Sequence, residues 1–475
     1  MRRLAALLVL ATLGCRAGEP GRDVQARIQR IESRLLPAVL VAGQPVPVHS
    51  LAERMEHHRV PAVSIAVIND GELEWARAYG LADVEEGRPA TTRTLFQAAS
   101  ISKPVAALAA LKLVEDGLLD LDEDVNEKLE SWKLPENQYT AAEPVTLRRL
   151  LTHTAGTTVH GFPGYAAGAT VPTTVGVLDG EGNTDPIRVD TVPGSLWRYS
   201  GGGYTIAQLL VRDVTDRPFP EIMRETVLER IGMSESTYEQ PLPESRRAQA
   251  ASGYRADGTE VEGKWHTYPE MAAAGLWTTP TDLARYAIEI QKAYAGEASV
   301  VLSSDMARQM LEPGMNDWGL GPGIGLGGKA FRHGGSNEGF RCQFIAFMEG
   351  GQGAVVMTNS DSGSDLAQEI LLTIADEYGW PELRPTEKTV VGLDPAILQE
   401  YAGRYELAEL GVITIEVGEN SLWAEVPGQG RVELLPESRT EFFVRDDGTR
   451  VTFIREDGRV VAFRASGIQA ARIDR

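Results

Sequence analysis

The sequence predicts an α+β fold, in which one antiparallel sheet is built from both ends of a large domain and is followed by a small all-β barrel. Two observations support this prediction. Apolar runs typical of strands lie near residues 60–79 and 331–358, and helical patterns occupy most of the chain between them. From about residue 396 the pattern changes to short alternating strands separated by turns, which is typical of a small barrel or sandwich.

Length, composition and charge limit the functional class. A chain of 475 residues is too long for one ordinary core, so we expect a large domain and a smaller one. The formal net charge of −21 argues against a nucleic-acid partner and against direct electrostatic binding to anionic lipid. The seven histidines show no metal-ligand spacing, and the glycine-rich segment 323–328 neither follows a convincing strand nor opens a helix. We therefore predict no metal and no cofactor.

The N-terminus has the pattern of an export signal. Two arginines near the start are followed by the apolar run Leu4–Leu13, which is too short to span a bilayer, and then by Gly14 and Cys15. This order resembles the lipobox of bacterial lipoproteins, in which the cysteine is lipidated. We therefore predict that residues 1–15 direct export to the periplasm, with Cys15 as a lipid anchor and the only contact with the membrane. The alternative is ordinary cleavage and release.

The rest of the chain divides into four predicted segments, because proline-containing or polar stretches separate the patterned ones. The segment 382–395 contains two prolines and is the predicted linker. The four segments are a tether at 16–45 with a short helix at 24–36, a large domain at 46–381, the linker at 382–395 and a small β-barrel at 396–475.

Within the large domain, turn residues and apolar periodicity predict the elements. Val60–Ile68 and Glu72–Tyr79 form a hairpin, because Asp70-Gly71 supplies residues that tolerate the left-handed conformation. A helix is predicted over 101–116, with Gly117 positioned to end it. The remaining elements are helices at Val145–Thr152, Tyr204–Val214, Phe219–Arg230 and Pro280–Tyr294, and strands at Phe331–Arg332, Phe340–Met348 and Gln352–Thr358.

The small domain is predicted as an all-β meander. Its strands are Val412–Val417, Ser421–Val426, Arg431–Leu435, Glu441–Arg445, Thr449–Arg455 and Arg459–Arg464. The aromatic residues Trp423, Phe442, Phe443, Phe453 and Phe463 most simply form its core. The functional alternative is a lipocalin-like cup, or a lid that shapes access of the substrate.

The strongest catalytic signal is Ser100-Ile-Ser-Lys103, at the start of the 101–116 helix. A serine three residues before a lysine puts a hydroxyl and an amine on one face of a helix, within about one turn. A lysine kept neutral by burial can take the serine's proton and leave a nucleophile. The pattern alone is weak, because a chain of this length contains about one Ser-x-x-Lys by chance. In isolation the pattern favours a structural interpretation, in which Ser100 is a helix N-cap and Lys103 a solvated first-turn residue.

Three further segments follow in a recognisable order. They are Leu150–Gly156, the segment Pro193–Gly201 that contains Tyr199, and His333-Gly-Gly-Ser336. Together with Ser100-x-x-Lys103 they resemble the serine β-lactamase and penicillin-binding-protein superfamily, in the branch of class C β-lactamases, DD-peptidases and family VIII carboxylesterases. The resemblance covers roughly residues 45–380. It implies an α/β sandwich, with an antiparallel sheet flanked by helices and the site between this sheet and an all-helical region.

The resemblance implies a role for each matching residue. Ser100 is the expected nucleophile, and Lys103 is the expected proton acceptor beside it. Tyr199 is the expected general base, whose phenolate a nearby ammonium stabilises. The backbone N–H groups of Ser100 and Ser336 are expected to form the oxyanion hole. His153 closes a helix, and we assign it to structure.

The substrate-binding positions depart from the family pattern. Gly201 stands where the family has an asparagine, so the amide that would hold a substrate carbonyl is missing. His333 stands where the family has a lysine, which weakens recognition of a carboxylate at neutral pH and above. Gly335 and Ser336 complete this side of the site. If protonated His333 helps to hold Tyr199 as a phenolate or orients the substrate, activity should change between about pH 5 and 8.

These residues predict a serine hydrolase that cleaves an ester or amide of a small molecule or peptide through a covalent acyl-enzyme at Ser100. Because of the two departures, an esterase or peptidase-like activity is favoured over efficient β-lactam hydrolysis. The alternative is a non-catalytic protein that binds or senses penicillin or cell-wall peptides. The sequence predicts no particular oligomeric state.

Overall fold

The computed structural model describes residues 21–380, 382–407, 411–427, 430–465 and 467–474. The predicted export signal, with Cys15, and the first part of the predicted tether lie outside these residues. In the part of the chain that is described, no helix is long and apolar enough to cross a membrane.

Helices fill the centre of the large domain and flank its sheet. The α-helices are α1 Arg22–Ser33, α2 Leu51–His57, α3 Ser102–Glu115, α4 Val125–Lys128, α5 Leu147–Leu151, α6 Thr174–Asp179, α7 Gly201–Thr215, α8 Phe219–Met223, α9 Glu229–Ile231, α10 Met271–Ala274, α11 Pro280–Ala295, α12 Ser304–Met310, α13 Gly363–Glu377 and α14 Pro395–Tyr401. Shorter 3₁₀ turns lie at Ala99–Ile101, Glu244–Gln249 and Met315–Asp317, and a π-helical turn at Arg224–Leu228 joins α8 to α9.

The strands fall into two main groups, one in each domain. They are β1 Val39–Val41, β2 Ala62–Asn69, β3 Glu72–Asp83, β4 Arg88–Pro89, β5 Phe96–Gln97, β6 Trp277–Thr278, β7 Gly323–Gly325, β8 Ala330–Asn337, β9 Phe340–Phe347, β10 Gly353–Thr358, β11 Thr386–Lys388, β12 Gly403–Leu407, β13 Gly411–Val417, β14 Leu422–Val426, β15 Gly430–Pro436, β16 Glu441–Val444, β17 Arg450–Glu456, β18 Arg459–Ala465 and β19 Ile468–Arg472.

The large domain is built on one antiparallel sheet with the strand order β4-β3-β2-β10-β9-β8-β7. Early and late strands meet where β2 pairs with β10, in the register Val63↔Thr358 to Ile68↔Gly353. This pairing confirms the prediction that both ends of the domain contribute to a single sheet. The continuous apolar run of β2 has a simple cause: its alternate residues are buried in two different cores, one on each face of the sheet.

The sheet is the middle layer of a sandwich. Helix α13 packs on one face together with α1, and the other face contacts α11 and the helical region that contains α3 and α7. The predicted α/β sandwich is therefore confirmed. Helix α13 was not among the predicted elements, although Leu366, Ile370, Leu371 and Ile374 recur at helical spacing and are all buried.

The predicted tether and linker are both part of the folded structure where they are described. Helix α1 buries Ile28 and Ile31 in the same core as α13, and Arg30 forms an ion pair of 2.6 Å with Glu377. After α1, strand β1 pairs in parallel with β11, which lies inside the predicted linker 382–395. The prediction missed this because strands of three residues leave almost no periodic signal.

The small domain is a closed barrel of eight strands, β12 to β19 in sequence order, within the described residues. The six predicted strands are confirmed within one or two residues. Strands β12 and β19 were missed, and their pairing at Tyr405↔Arg472 closes the barrel. Helix α14 covers one end and buries Leu398 and Tyr401 in the barrel core.

The predicted aromatic core of the barrel is partly confirmed. Phe442, Phe453 and Phe463 point inward. Phe443 packs instead outside the barrel against Val39 of β1. Trp423 also lies outside the core, because its strand position faces outward and Arg431 stacks on its ring at 4.8 Å.

Candidate active site

The predicted nucleophile lies on a tight turn between β5 and α3. Ala99, immediately before Ser100, has a φ of +50°, in the left-handed region that L side chains rarely adopt. Ser100 lies in the 3₁₀ turn Ala99–Ile101 that leads into α3, so its hydroxyl lies at the mouth of that helix, and the residue is partly exposed. Strained backbone of this kind is concentrated at functional sites, where it presents a side chain that a relaxed turn would turn away.

Lys103 is held beside this hydroxyl. Its side chain is 2% exposed, and its Nζ donates to Ser100 Oγ at 3.0 Å and to the carbonyl oxygen of Ala273 at 2.8 Å. Burial lowers the pKa of Lys103 to about 7, because the charged amine loses its hydration. A substantial fraction of Lys103 is therefore neutral near pH 7 and able to accept a proton. The carbonyl of Ala273, on α10, keeps the amine aimed at Ser100.

Tyr199 completes the predicted trio. The side chain of Ser100 is near enough to its hydroxyl to act on its pKa, and Lys103 Nζ lies 4.9 Å from the centre of its ring. The geometry therefore brings together the three residues that the sequence motifs singled out. Burial raises the pKa of Tyr199 above its ordinary value, although the Ser100 contact works in the opposite direction. The family resemblance implied a resting phenolate at Tyr199 beside a charged Lys103. The lowered pKa of Lys103 and the raised pKa of Tyr199 both disfavour that state.

Strand β8 lies against the nucleophile turn, and Gly335 makes this approach possible. A Cβ at position 335 would lie 2.2 Å from the carbonyl oxygen of Ala98 and 3.3 Å from the Cβ of Ala99. No side chain fits in that gap. The next residue, Ser336, is exposed at the same edge of the cleft. The expected oxyanion donors at Ser100 and Ser336 thus belong to two segments in direct contact.

His333 lies on β8 with its ring buried. Its Nδ1 donates to the carbonyl oxygen of Gly334 at 2.6 Å, and its Nε2 has no hydrogen-bond partner among the described residues. Burial lowers the pKa of His333 to about 3, and the charge of Lys103 acts in the same direction. The ring is therefore neutral from pH 5 to 8. The expected change of activity between about pH 5 and 8 stays a prediction, and this burial disfavours protonated His333 as its cause.

Gly201 begins α7, directly after the N-cap Ser200, whose Oγ accepts from the N–H of Gly203 at 3.1 Å. A Cβ at position 201 would lie 2.8 Å from Cε2 of Phe162. The ring of Phe162 thus occupies the space where an asparagine of the family would place its side chain. The sequence analysis missed Phe162, and no local pattern marks it.

Several aromatic rings line the site beyond the predicted residues. The ring centres of His153 and Tyr199 are 4.2 Å apart, and Trp318 lies 5.1 Å from His153 and 5.8 Å from Tyr199. His153 accepts at Nδ1 from the N–H of Ser200 at 3.1 Å, and burial holds its pKa well below the ordinary value. His153 therefore has a second role besides the structural one that we predicted, because its ring packs against the ring of Tyr199. Trp318 was missed because it is distant in sequence.

The described residues contain no cluster of three or more histidine, cysteine, aspartate or glutamate side chains arranged to hold a metal ion. The chemistry available at this cleft is that of a hydroxyl, an amine and a phenol around one reacting centre. This is the set that acyl transfer through a serine nucleophile requires.

Comparison with known proteins identifies the family. The beta-lactamase family model matches residues 49–377, well over half of the chain. The chain belongs to the beta-lactamase family. A second model, described as a domain of unknown function (DUF3471), matches residues 387–473, which include the barrel of this beta-lactamase family member.

Two curated relatives of this beta-lactamase family member are similar over much of their length. Penicillin-binding protein 4* of Bacillus subtilis (strain 168) is 25% identical over 84% of this chain and 91% of its own length. Esterase EstB of Burkholderia gladioli is 31% identical over 57% of this chain and 75% of its own. Together with the family match, these relatives identify the protein as a serine hydrolase of this superfamily.

Solved structures have the same fold. The octameric penicillin-binding protein homologue from Pyrococcus abyssi has a TM-score of 0.59 at 23% identity and covers 89% of this chain and 98% of its own. SurE with D-Leu has a TM-score of 0.56 at 22% identity and covers 89% of this chain and 97% of its own. At these identities the likeness establishes the fold.

Proposed function

We propose that this protein hydrolyses an ester or a small amide through an acyl-enzyme at Ser100, and that it is an esterase or peptidase-like hydrolase rather than an efficient β-lactamase. The observation that carries the proposal is the 3.0 Å contact from Lys103 Nζ to Ser100 Oγ. The amine in this contact is buried, and its pKa is lowered to about 7. It is therefore a base that works near neutral pH without a charged partner.

The proposed reaction has two halves. In the first, neutral Lys103 takes the proton of Ser100 as Oγ attacks the carbonyl carbon, and the backbone N–H groups of Ser100 and Ser336 stabilise the oxyanion. The proton passes through the hydroxyl of Tyr199 to the leaving alkoxide or amine, and the acyl group remains on Oγ. In the second, water attacks the acyl carbon and gives a proton to Lys103; the bond from the acyl carbon to Ser100 Oγ then breaks, Oγ takes that proton, and the acid is released.

The preference for esters and small amides rests on two positions of the substrate side. A β-lactam antibiotic presents a carboxylate, which is best held by a permanent cation. The position of the family's lysine carries His333, whose pKa of about 3 leaves it neutral at physiological pH. The position of the family's asparagine carries Gly201, and Phe162 fills the space beside it. A simple ester needs neither partner.

The test compares three substrate classes on one preparation. We expect turnover of p-nitrophenyl butyrate that is abolished in Ser100→Ala, with turnover of a chromogenic cephalosporin much lower and D-amino-acid peptides in between. Efficient cephalosporin turnover without ester turnover would contradict the proposal. A fluorescent penicillin that labels Ser100 and is never released would indicate the penicillin-binding alternative instead.

We also propose that the protein is exported and anchored through Cys15. The support is the order of the two N-terminal arginines, the run Leu4–Leu13 and Cys15. The other cysteine, Cys342, is buried with its pKa raised to about 12, so it does not compete as a reactive thiol. Metabolic labelling with a palmitate analogue in a bacterial host should mark the wild type and not Cys15→Ala. Equal labelling of both would contradict the anchor.

A further inference from the structure

A large cavity that plays no part in the proposed reaction lies at the open end of the barrel. It has a volume of about 1180 Å³ and lies between the open end of the barrel and the facing surface of the hydrolase domain. None of the catalytic trio, Ser100, Lys103 and Tyr199, borders it. The cavity is therefore a separate compartment.

The lower end of the barrel is filled by aromatic rings. Tyr401 of α14 lies 4.5 Å from Phe453 and 5.3 Å from Phe442, measured between ring centres, and Tyr405 lies 5.1 Å from Phe463. These rings close the barrel at the end covered by α14. Among the described residues these rings block that end, so we expect a ligand in the lumen to enter from the opposite, open end.

The upper lumen is lined by aliphatic side chains. Because residues alternate along each strand, one face of every strand points inward. The inward residues at this level include Ile413, Ile415, Ala424, Leu434 and Val451, each of which is at least 95% buried. Cavities lined in this way exclude water and bind apolar groups.

The rim of the cavity is charged, with an excess of carboxylates. The hydrolase domain contributes Asp365, and the barrel contributes Asp446 and Asp447. Burial and the two neighbouring aspartates raise the pKa of Asp365. Among the described residues that line the cavity, six carboxylates outnumber three arginines: Arg341 is paired with Asp361 at 2.8 Å, Arg431 is paired with Glu416 at 3.2 Å, and Arg59 is exposed. A negatively charged group at this rim would meet like charges, whereas a cationic or uncharged group would not.

We propose that the upper lumen of the barrel binds the hydrocarbon chain of a single-chain amphiphile whose head group is cationic or uncharged and lies at the carboxylate-rich rim. This inference goes beyond the hydrolase activity, and only the blocking step of its first experiment uses the reactivity proposed for Ser100. The chain occupies the aliphatic lumen above the aromatic rings, and its length determines affinity. The head group discriminates between ligands of equal chain length.

The first experiment measures binding against chain length and head charge. The full chain is inactivated with a fluorophosphonate at Ser100, so that the catalytic cleft cannot contribute, and a bound fluorescent hydrocarbon (diphenylhexatriene) is displaced. Competitors are alkyltrimethylammonium, alkyl glucoside and alkyl carboxylate series of eight to twelve carbons, all below their micelle concentrations. Full burial predicts up to about fourfold tighter binding for each added methylene. We expect each added methylene to tighten binding by at least about twofold.

The second experiment changes the lumen and leaves the hydrolase domain untouched. Ala424→Phe fills the space and should weaken displacement by the longest chain by at least about tenfold. Val451→Thr keeps the volume, adds a hydroxyl and should weaken it by about threefold even if Ala424→Phe fails to fold. Thr414→Phe, on the outer face of β13, is the matched control and should bind as the wild type does.

Three results would overturn the proposal. They are an affinity gain below about twofold per methylene, an alkyl carboxylate that binds more tightly than its ammonium counterpart, and lumen variants that bind as well as the outer-face control. Ester hydrolysis by the uninhibited lumen variants should be unchanged, so this experiment can fail without affecting the proposed hydrolase function.

Discussion

The close approach of β8 to the nucleophile turn predicts that Gly335→Ala inactivates the enzyme through geometry alone. The substitution adds one methyl group and removes no catalytic side chain. Gly335 does not have a positive φ, so an alanine at this position causes no backbone strain. The effect of the substitution comes from the steric clash of the added Cβ. The expected effect therefore reports on the distance between two segments.

The size of the effect follows from the contact. The new Cβ would lie 2.2 Å from the carbonyl oxygen of Ala98, whereas an ordinary contact begins at 3.4 Å. One of the two segments must therefore move by about 1.2 Å (3.4 minus 2.2). Ser336 follows position 335 directly, and Ser100 is two residues beyond Ala98. A misplacement of about 1 Å between reacting groups costs about 100-fold in rate, and overpacking costs about 1–3 kcal/mol in stability.

The assay is kcat/KM for p-nitrophenyl butyrate together with the melting temperature. Gly334→Ala is the matched control, because it lies on the same strand and its nearest neighbour would be the carbonyl oxygen of Cys342 at 3.8 Å. We expect Gly335→Ala to lose about 100-fold in kcat/KM while it stays folded, and Gly334→Ala to remain near wild type. A folded Gly335→Ala with ordinary kcat/KM would refute the reasoning.

Four further predictions concern burial. Because the neutral amine of Lys103 is the base and its pKa is about 7, kcat/KM for esters should rise with pH along a one-proton curve centred near 7, and a flat profile from pH 5 to 9 would contradict this. His333→Gln should leave the shape of that profile unchanged from pH 5 to 8, since burial keeps the ring neutral there. Gly201→Asn should lower stability by about 1–3 kcal/mol by clashing with Phe162, and adding Phe162→Ala should restore the melting temperature. Glu270 is fully buried, with both carboxylate oxygens lacking a partner in the described residues, and its pKa is raised from 4.5 to about 8. The folded state therefore binds the proton more tightly and loses stability as pH rises from 4.5 to 8, so Glu270→Gln should raise the melting temperature more at pH 9 than at pH 5.

The sequence revealed what is local and missed what depends on tertiary contact. Ser100, Lys103 and Tyr199 were identifiable because each lies in a short motif whose residues are near one another along the chain. Phe162 was not, because it reaches the site from a loop with no periodic pattern. The protonation of His333 shows the same limit: the residue type indicates a group that titrates near neutral pH, whereas the packing around the ring lowers its pKa to about 3.

The barrel shows the same division. Its six central strands follow from alternation and turn residues, which are local signals. Strands β12 and β19 were missed, although they close the sheet, because the pairing Tyr405↔Arg472 joins residues at opposite ends of the domain. The prediction therefore identified the barrel without showing how it closes.

The parallel pairing of β1 with β11 has a practical consequence for anyone who trims the N-terminus. Removing the residues before position 45 would leave β11 with a bare edge and take Val39 away from Phe443 on the outside of the barrel. A shortened protein of this kind should also be less stable in its hydrolase domain, because Ile28 and Ile31 of α1 would leave the core that they share with α13. The segment 21–45 therefore contributes contacts to both domains, and its removal would change the surroundings of Phe443, some 400 residues later in the chain.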